Sequence, residues 1–124
     1  MVKITLKWSA FFGYEVYNSN KIPKEKGVYE FFVRLKSGGS RIIYVGQAED
    51  LQKRSVDHQL DSEQNECLKK HLKDNKWDFR HALLSLEADR QDAEQALYDK
   101  HKPECNQVRP NGSGRKLPIE IEEQ

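Results

Sequence analysis

The chain has 124 residues, 36% hydrophobic and 33% charged, with a formal net charge of +1 at pH 7. This length predicts one compact domain, residues 1–124, with a modest core. The near-neutral balance excludes a uniformly basic nucleic-acid surface, so any grip on phosphate must come from local clusters. No apolar run is long enough to span a bilayer, and the first residues lack the apolar stretch of a secretory leader, which makes a cytoplasmic location the expectation.

Residues 1–21 read as an N-terminal extension. They carry Trp8, Phe11, Phe12, Tyr14 and Tyr17, too aromatic for a disordered tail, and are expected to pack on the domain as a strand or lid. Residues 27–36 alternate: Tyr29, Phe31, Val33 and Leu35 share one face, and Val28, Glu30, Phe32 and Arg34 the other. Period two with aromatic and β-branched residues predicts a strand. Ser37, Gly38, Gly39 and Ser40 make a turn, and residues 41–46 return as the second strand of a hairpin. Asp50 is placed to cap a helix running to Gln59. A second helix carries Cys67, Leu68, His71 and Leu72 at one-face spacing and ends near Asn75. Residues 77–85 alternate again as a third strand. Asp89 opens a last helix with Ala93, Ala96 and Leu97 inward, stopped by Pro103. Asn111, Gly112, Ser113 and Gly114 break the tail into a loop, and the acidic final residues are expected to fray. The sum is an α+β domain: a small three-stranded antiparallel sheet flanked by helices, with its core in residues 22–106 and a tail over 107–124.

Cationic residues group in two places: Lys21, Lys24, Lys26, Lys36 and Arg41 in or near the hairpin, and Arg109, Arg115 and Lys116 in the tail. The two cysteines, Cys67 and Cys105, read as reduced thiols in a chain without a secretory leader. A zinc set of Cys67, His71, His101 and Cys105 has ligand-like spacing, but Pro103 takes its second half out of helical geometry.

Several side chains have the chemistry for phosphodiester hydrolysis. That reaction needs a cation on the phosphate, a base for water, and in-line positioning. Arg54 and His58 stand at i and i+4, on one helix face. A guanidinium fork suits a phosphate, and an imidazole beside it suits proton transfer. The alternative is an ordinary solvated face shared with Lys53 and Asp57. Tyr29 and Tyr44 lie on the two strands of one hairpin. A phenol with an ordinary pKa of about 10 is a poor base unless a cation lowers it, and strand tyrosines commonly serve packing alone. Glu94, flanked by Ala93 and Ala96, could hold Mg²⁺ with waters and substrate phosphate, or simply face solvent. Gly46 and Gln47, between strand and helix, could approach a phosphate closely.

Taken in order, these residues resemble the GIY-YIG nuclease family. The resemblance rests on Gly27-Val28-Tyr29, Tyr44-Val45-Gly46, Arg54, His58, Glu94 and Asn106, with Ile22-Pro23 before the first motif and Pro103 before the asparagine. Residues 44–54 are similar to the N-terminal nuclease half of the bacterial excision-repair incision enzymes, whereas the Arg54 and His58 pair looks more like the homing and restriction branches. Val28 and Val45 replace the isoleucines of the family name. Cys105 stands where an aromatic residue is common, and Lys26 where the repair enzymes often have proline.

The resemblance implies a divalent-metal-dependent endonuclease that cuts DNA by a one-metal mechanism and leaves a 5′ phosphate. Tyr29 would be the general base or a relay to it, and Tyr44 would orient or help activate water. Arg54 would hold the scissile phosphate and His58 support proton transfer. Glu94 would ligate Mg²⁺ or Mn²⁺, and Asn106 would position the phosphate or backbone. Gly46, Gln47, Lys53 and Arg54 would contact nucleic acid. Many relatives add a separate DNA-binding module; here a homodimer or a DNA-targeting partner would supply that grip. The rival readings are a non-catalytic nucleic-acid-binding subunit of the same fold and a structural zinc protein.

Overall fold

A strand covered on both faces must be apolar almost throughout, and that requirement identifies the spine of this fold. The computed structural model describes residues 1–124. In it, β3 (Gly27–Arg34) pairs antiparallel with β4 (Ser40–Ala48) on one side and β5 (Trp77–Leu83) on the other. Tyr29, Phe31 and Val33 enter one core with Ile22, Ile43, Leu51, Leu68 and Phe79. Val28 enters a second core behind the sheet with Ile4, Leu6, Val45, Ala93 and Leu97. Thus α1 (Leu51–Asp57) and α2 (Glu66–Asp74) cover one face, and α3 (Glu87–His101) covers the other.

Helix boundaries follow from their caps. The Asp50 carboxylate accepts from the Lys53 N–H at 3.0 Å and starts α1. The Asn65 side chain does the same for α2 through the Leu68 N–H at 3.1 Å. α3 ends where Lys102 adopts a left-handed conformation, φ 47°, with Pro103 beyond it. α1 stops at Asp57, two residues short of the expected end, and His58 forms its C-cap.

The class is α+β, but the expected three-stranded sheet is corrected in two ways. β2 (Phe12–Gly13) adds a fourth antiparallel strand, giving the order β2-β5-β3-β4. Its two residues pair with Phe79 and Asp78 and cover the outer side of β5. A two-residue strand has no period for a sequence to display. The second correction concerns the tail. It does not fray: β6 (Ile119–Glu123) runs parallel to β1 (Val2–Leu6) in a separate two-stranded sheet. Ile119 and Ile121 pack against the second core beside buried Ile4 and Leu6. Their alternation with Glu120 and Glu122 is a strand signal that the acidic composition concealed.

A further irregularity decides the phase of β4. Phe31 pairs with Tyr44 but Phe32 pairs with Ile42, leaving Ile43 as the extra residue of a bulge. Ile43 and Tyr44 therefore both join the first core, while Ile42 and Val45 join the second.

The cysteines are also corrected: Cys67 and Cys105 form a disulfide rather than standing as reduced thiols. Tertiary packing of α2 against the segment after α3 brings their Cα atoms to 5.3 Å, within bonding range. His101 does not join them. It ends α3, its Nε2 4.0 Å from Glu30 Oε2, so the four-residue zinc set does not converge. No helix is long and apolar enough to cross a membrane.

Because Leu6 is fully buried against the second core, Leu6→Ala is expected to cost about 2–5 kcal/mol in urea denaturation. A change below about 0.5 kcal/mol, the range of an ordinary surface substitution, would show that the terminal pair does not belong to the cooperative unit.

Candidate active site

A phenol buried away from water must find a hydrogen-bond partner. Tyr29 is 1% exposed, as is His58. The Tyr29 hydroxyl lies 2.6 Å from His58 Nε2. On the far side of the ring, His58 Nδ1 lies 2.9 Å from Glu63 Oε2. The other Glu63 oxygen accepts from the Asn65 N–H at 2.9 Å, which fixes the carboxylate. Burial, then the charge of Arg54, pushes His58 down to about 4 against the opposing pull of Glu63. The imidazole is therefore neutral at pH 7. Its Nδ1–H donates to Glu63, and its Nε2 lone pair accepts from the Tyr29 hydroxyl. Burial holds the Tyr29 phenol well above its ordinary range, and the Arg54 charge opposes that rise.

Gly46 makes room for this chain. It pairs with Tyr29 across the hairpin, and a Cβ there would come within 2.5 Å of Tyr29 Cζ. Gly46, read from sequence as a phosphate-facing glycine, is buried under the Tyr29 ring.

Tyr44 is the half-exposed neighbour of this buried pair. Its ring centroid is 6.1 Å from that of Tyr29 and 5.1 Å from that of His58. Burial raises the Tyr44 phenol, and the Arg54 charge works against that rise. Arg54 and Glu63 line a polar groove of 480 Å³ with Asp57, Ser62 and Gln64. Tyr44 also borders a 250 Å³ cleft with Asn65, Glu94, Asn106 and Pro110. The bulge at Ile43 thus turns Tyr44 toward Tyr29 and His58, from a strand whose other face holds α3.

The free edge of β4 gathers the remaining residues. The Ile43 carbonyl accepts from the Cys105 N–H at 2.8 Å. The Asn106 side chain completes the next step: its Oδ1 accepts from the Val45 N–H and its Nδ2 donates to the Val45 carbonyl, both at 2.9 Å. Asn106 so mimics a strand residue along this edge. One residue pair further on, the Gln47 N–H faces the Glu94 carboxylate.

Glu94 has no side-chain partner of opposite charge. Burial raises it to about 7, with the Gln47 N–H pulling the other way. A half-buried carboxyl without a counter-ion, open to a cleft, suits a divalent cation. The clusters of three or more metal-binding side chains lie elsewhere, and Glu94 is the one carboxyl lining its cleft.

Two other residues expected to contact nucleic acid have neighbours within the chain. Lys53 is exposed and 3.4 Å from Asp57, and Gln47 Oε1 accepts from Arg90 Nε at 3.2 Å. The tail cations are paired too, Arg109 with Asp99 and Arg115 with Asp89 and Asp92. Sequence reading missed Glu63 and Asn65. Glu63 stands five residues after His58 in a loop, a spacing with no helical or strand meaning. Asn65 had a signal as the cap of α2.

No protein-family model matches this chain, and no curated protein matches it.

The His58 environment fixes a pH dependence. An unfolded imidazole binds its proton near pH 6.5, the folded one near 4. The unfolded state takes up more protons between those values, so this contribution to stability is complete above about pH 6.5 and falls as pH drops toward 4. Its size is on the order of 3 kcal/mol. Glu94, raised in the folded state, acts with the opposite sign below pH 7. Urea unfolding of the parent and His58→Gln between pH 7 and 4 isolates the His58 part: their stability difference should shrink as the medium becomes more acidic. A constant difference would contradict a buried neutral imidazole.

Proposed function

We propose that this chain is a divalent-metal-dependent endonuclease of the GIY-YIG type, hydrolysing DNA phosphodiester bonds and leaving a 5′ phosphate. The observation that carries the proposal is the buried chain Tyr29–His58–Glu63, flanked by Tyr44 and Arg54, with the unpaired Glu94 carboxyl sharing a cleft with Tyr44. A solvated helix face gives no reason to bury an imidazole between a phenol and a carboxylate. The likeness in residue order and this geometry together support the reading.

The roles follow from exposure. Tyr44, the more accessible phenol, orients the attacking water. The proton lost by the water enters at Tyr44, whose own proton moves to Tyr29 as Tyr29 gives its proton to His58 Nε2, and Glu63 stabilises the imidazolium that forms. Arg54 holds the scissile phosphate. The Arg54 charge lowers His58, so a phosphate paired with Arg54 offsets that charge and raises the proton affinity of the imidazole as substrate arrives. Glu94 would hold one Mg²⁺ or Mn²⁺, which when bound supplies charge neutralisation at the leaving oxygen. Asn106 keeps the edge of β4 in register beside them. The near-neutral surface with its paired tail cations favours help with DNA capture from a second copy or a separate partner.

Cleavage of plasmid, flap and four-way-junction DNA with Mg²⁺ or Mn²⁺ tests the proposal. Glu94→Ala and Tyr29→Phe should each lose about a hundredfold or more in rate while keeping the parent's circular dichroism. Parent-like cleavage by Glu94→Ala would sink the site assignment. DNA binding without cleavage under any divalent metal would mark a non-catalytic subunit instead.

A second expectation concerns pH. With the Glu94 carboxyl near 7, protons and metal compete for it. At subsaturating Mg²⁺ the rate should rise with pH through about 7, and the midpoint should move to lower pH as Mg²⁺ increases. A midpoint indifferent to Mg²⁺ would remove Glu94 from metal binding.

A further inference from the structure

The disulfide stands inside a set of metal-binding side chains. Cys67 and His71 lie one turn apart on α2, and Glu104 and Cys105 follow Pro103 beyond α3. One ligand atom from each of the four lies within 4.8 Å of the other three. Glu104 Oε2 is 2.9 Å from His71 Nε2 and 3.7 Å from Cys67 Sγ. Its other oxygen is held by Arg41, which keeps Oε2 turned toward the cysteines. His71 Nδ1 already has a partner, the Asn75 side-chain amide at 3.0 Å.

We propose that the reduced protein holds a zinc ion on Cys67, His71, Glu104 and Cys105, and that this site and the disulfide are alternative states of one staple. The donor set decides the metal. Two thiolates and an imidazole select zinc over magnesium or calcium, and one carboxylate completes a tetrahedron. Rotating the Asn75 amide presents its oxygen to Nδ1–H, leaving Nε2 free for the metal, the usual support of a ligating histidine. Entry into this state balances simply. One small-molecule thiolate attacks the disulfide to give a mixed disulfide and one cysteine thiol. A second thiolate releases the other cysteine and leaves as the small-molecule disulfide. Zinc then displaces the two thiol protons. In both states α2 remains tied to Cys105, whose neighbour Asn106 clamps Val45. The proposal does not depend on the nuclease reading.

Cobalt titration tests it. The full chain is reduced with a phosphine, freed of reductant under nitrogen, and titrated with Co²⁺ and then Zn²⁺. The expected result is one equivalent of Co²⁺ bound, with the strong d–d bands of a tetrahedral site and a thiolate-to-cobalt charge-transfer band. One equivalent of Zn²⁺ should bleach both. The oxidised protein should show neither band. His71→Asn and Glu104→Gln leave both thiols in place and should each weaken Co²⁺ binding by about a hundredfold or more. Absence of the charge-transfer band in the reduced parent would overturn the proposal, and so would parent-like affinity in both variants. The readout is spectroscopic, so it stands even if the metal-free reduced protein is loosely folded.

Discussion

An edge strand presents a row of backbone N–H and C=O groups that need partners, and in this fold β4 is that strand. At three residues its outward groups find partners within the chain. Cys105, Asn106 and Glu94 answer Ile43, Val45 and Gln47 in turn. Satisfying one row of peptide groups therefore draws the loop after α3, and α3 itself, to the strand that carries Tyr44. The bulge at Ile43 then hands Tyr44 to the opposite face. Residues from both layers meet at a line where neither layer alone would place them.

The two faces of β3 solve the burial of polar groups differently. On the front, Tyr29 and His58 share a buried hydrogen bond between two neutral groups. On the back, Glu30 is fully buried beside Arg80, whose Nε donates to Oε1 at 2.7 Å. Glu30 Oε2 has no hydrogen-bond partner, and burial raises the carboxyl despite the Arg80 charge. Arg80 also stacks over Trp8, 4.2 Å from its ring centroid, and Trp8 donates to Glu123. Lys100 holds the other Glu123 oxygen. An acidic end that looks destined for solvent is thus held by cations on α3 and β5.

What the sequence displayed was local. The alternation in residues 27–36, the Asp50 cap and the Pro103 stop each depend on neighbours a few positions away, and each reappears in the structure. The Arg54 and His58 spacing put both residues on α1 or at its end. What stayed hidden needs the whole chain. The bulge at Ile43 is a register offset between strands, invisible in either alone. The Cys67–Cys105 pairing spans 38 positions and follows from packing. Glu63 gains its meaning only when the loop after α1 folds its carboxylate onto the His58 ring. β6 shows the opposite failure: its alternation was legible, and its net charge argued it away.

The parallel pairing of β1 with β6 carries a mechanical consequence. Val2 lies opposite Ile119, and Leu6 opposite Glu123, so the strand nearest the start of the chain and the one nearest its end point the same way. Tension applied before Val2 and beyond Glu123 pulls the two strands lengthwise past each other. All their cross-strand bonds bear that load together instead of peeling one after another. The sheet of β2 to β5, with the candidate site on its edge, lies between these two attachment points and is shielded until the clasp slips.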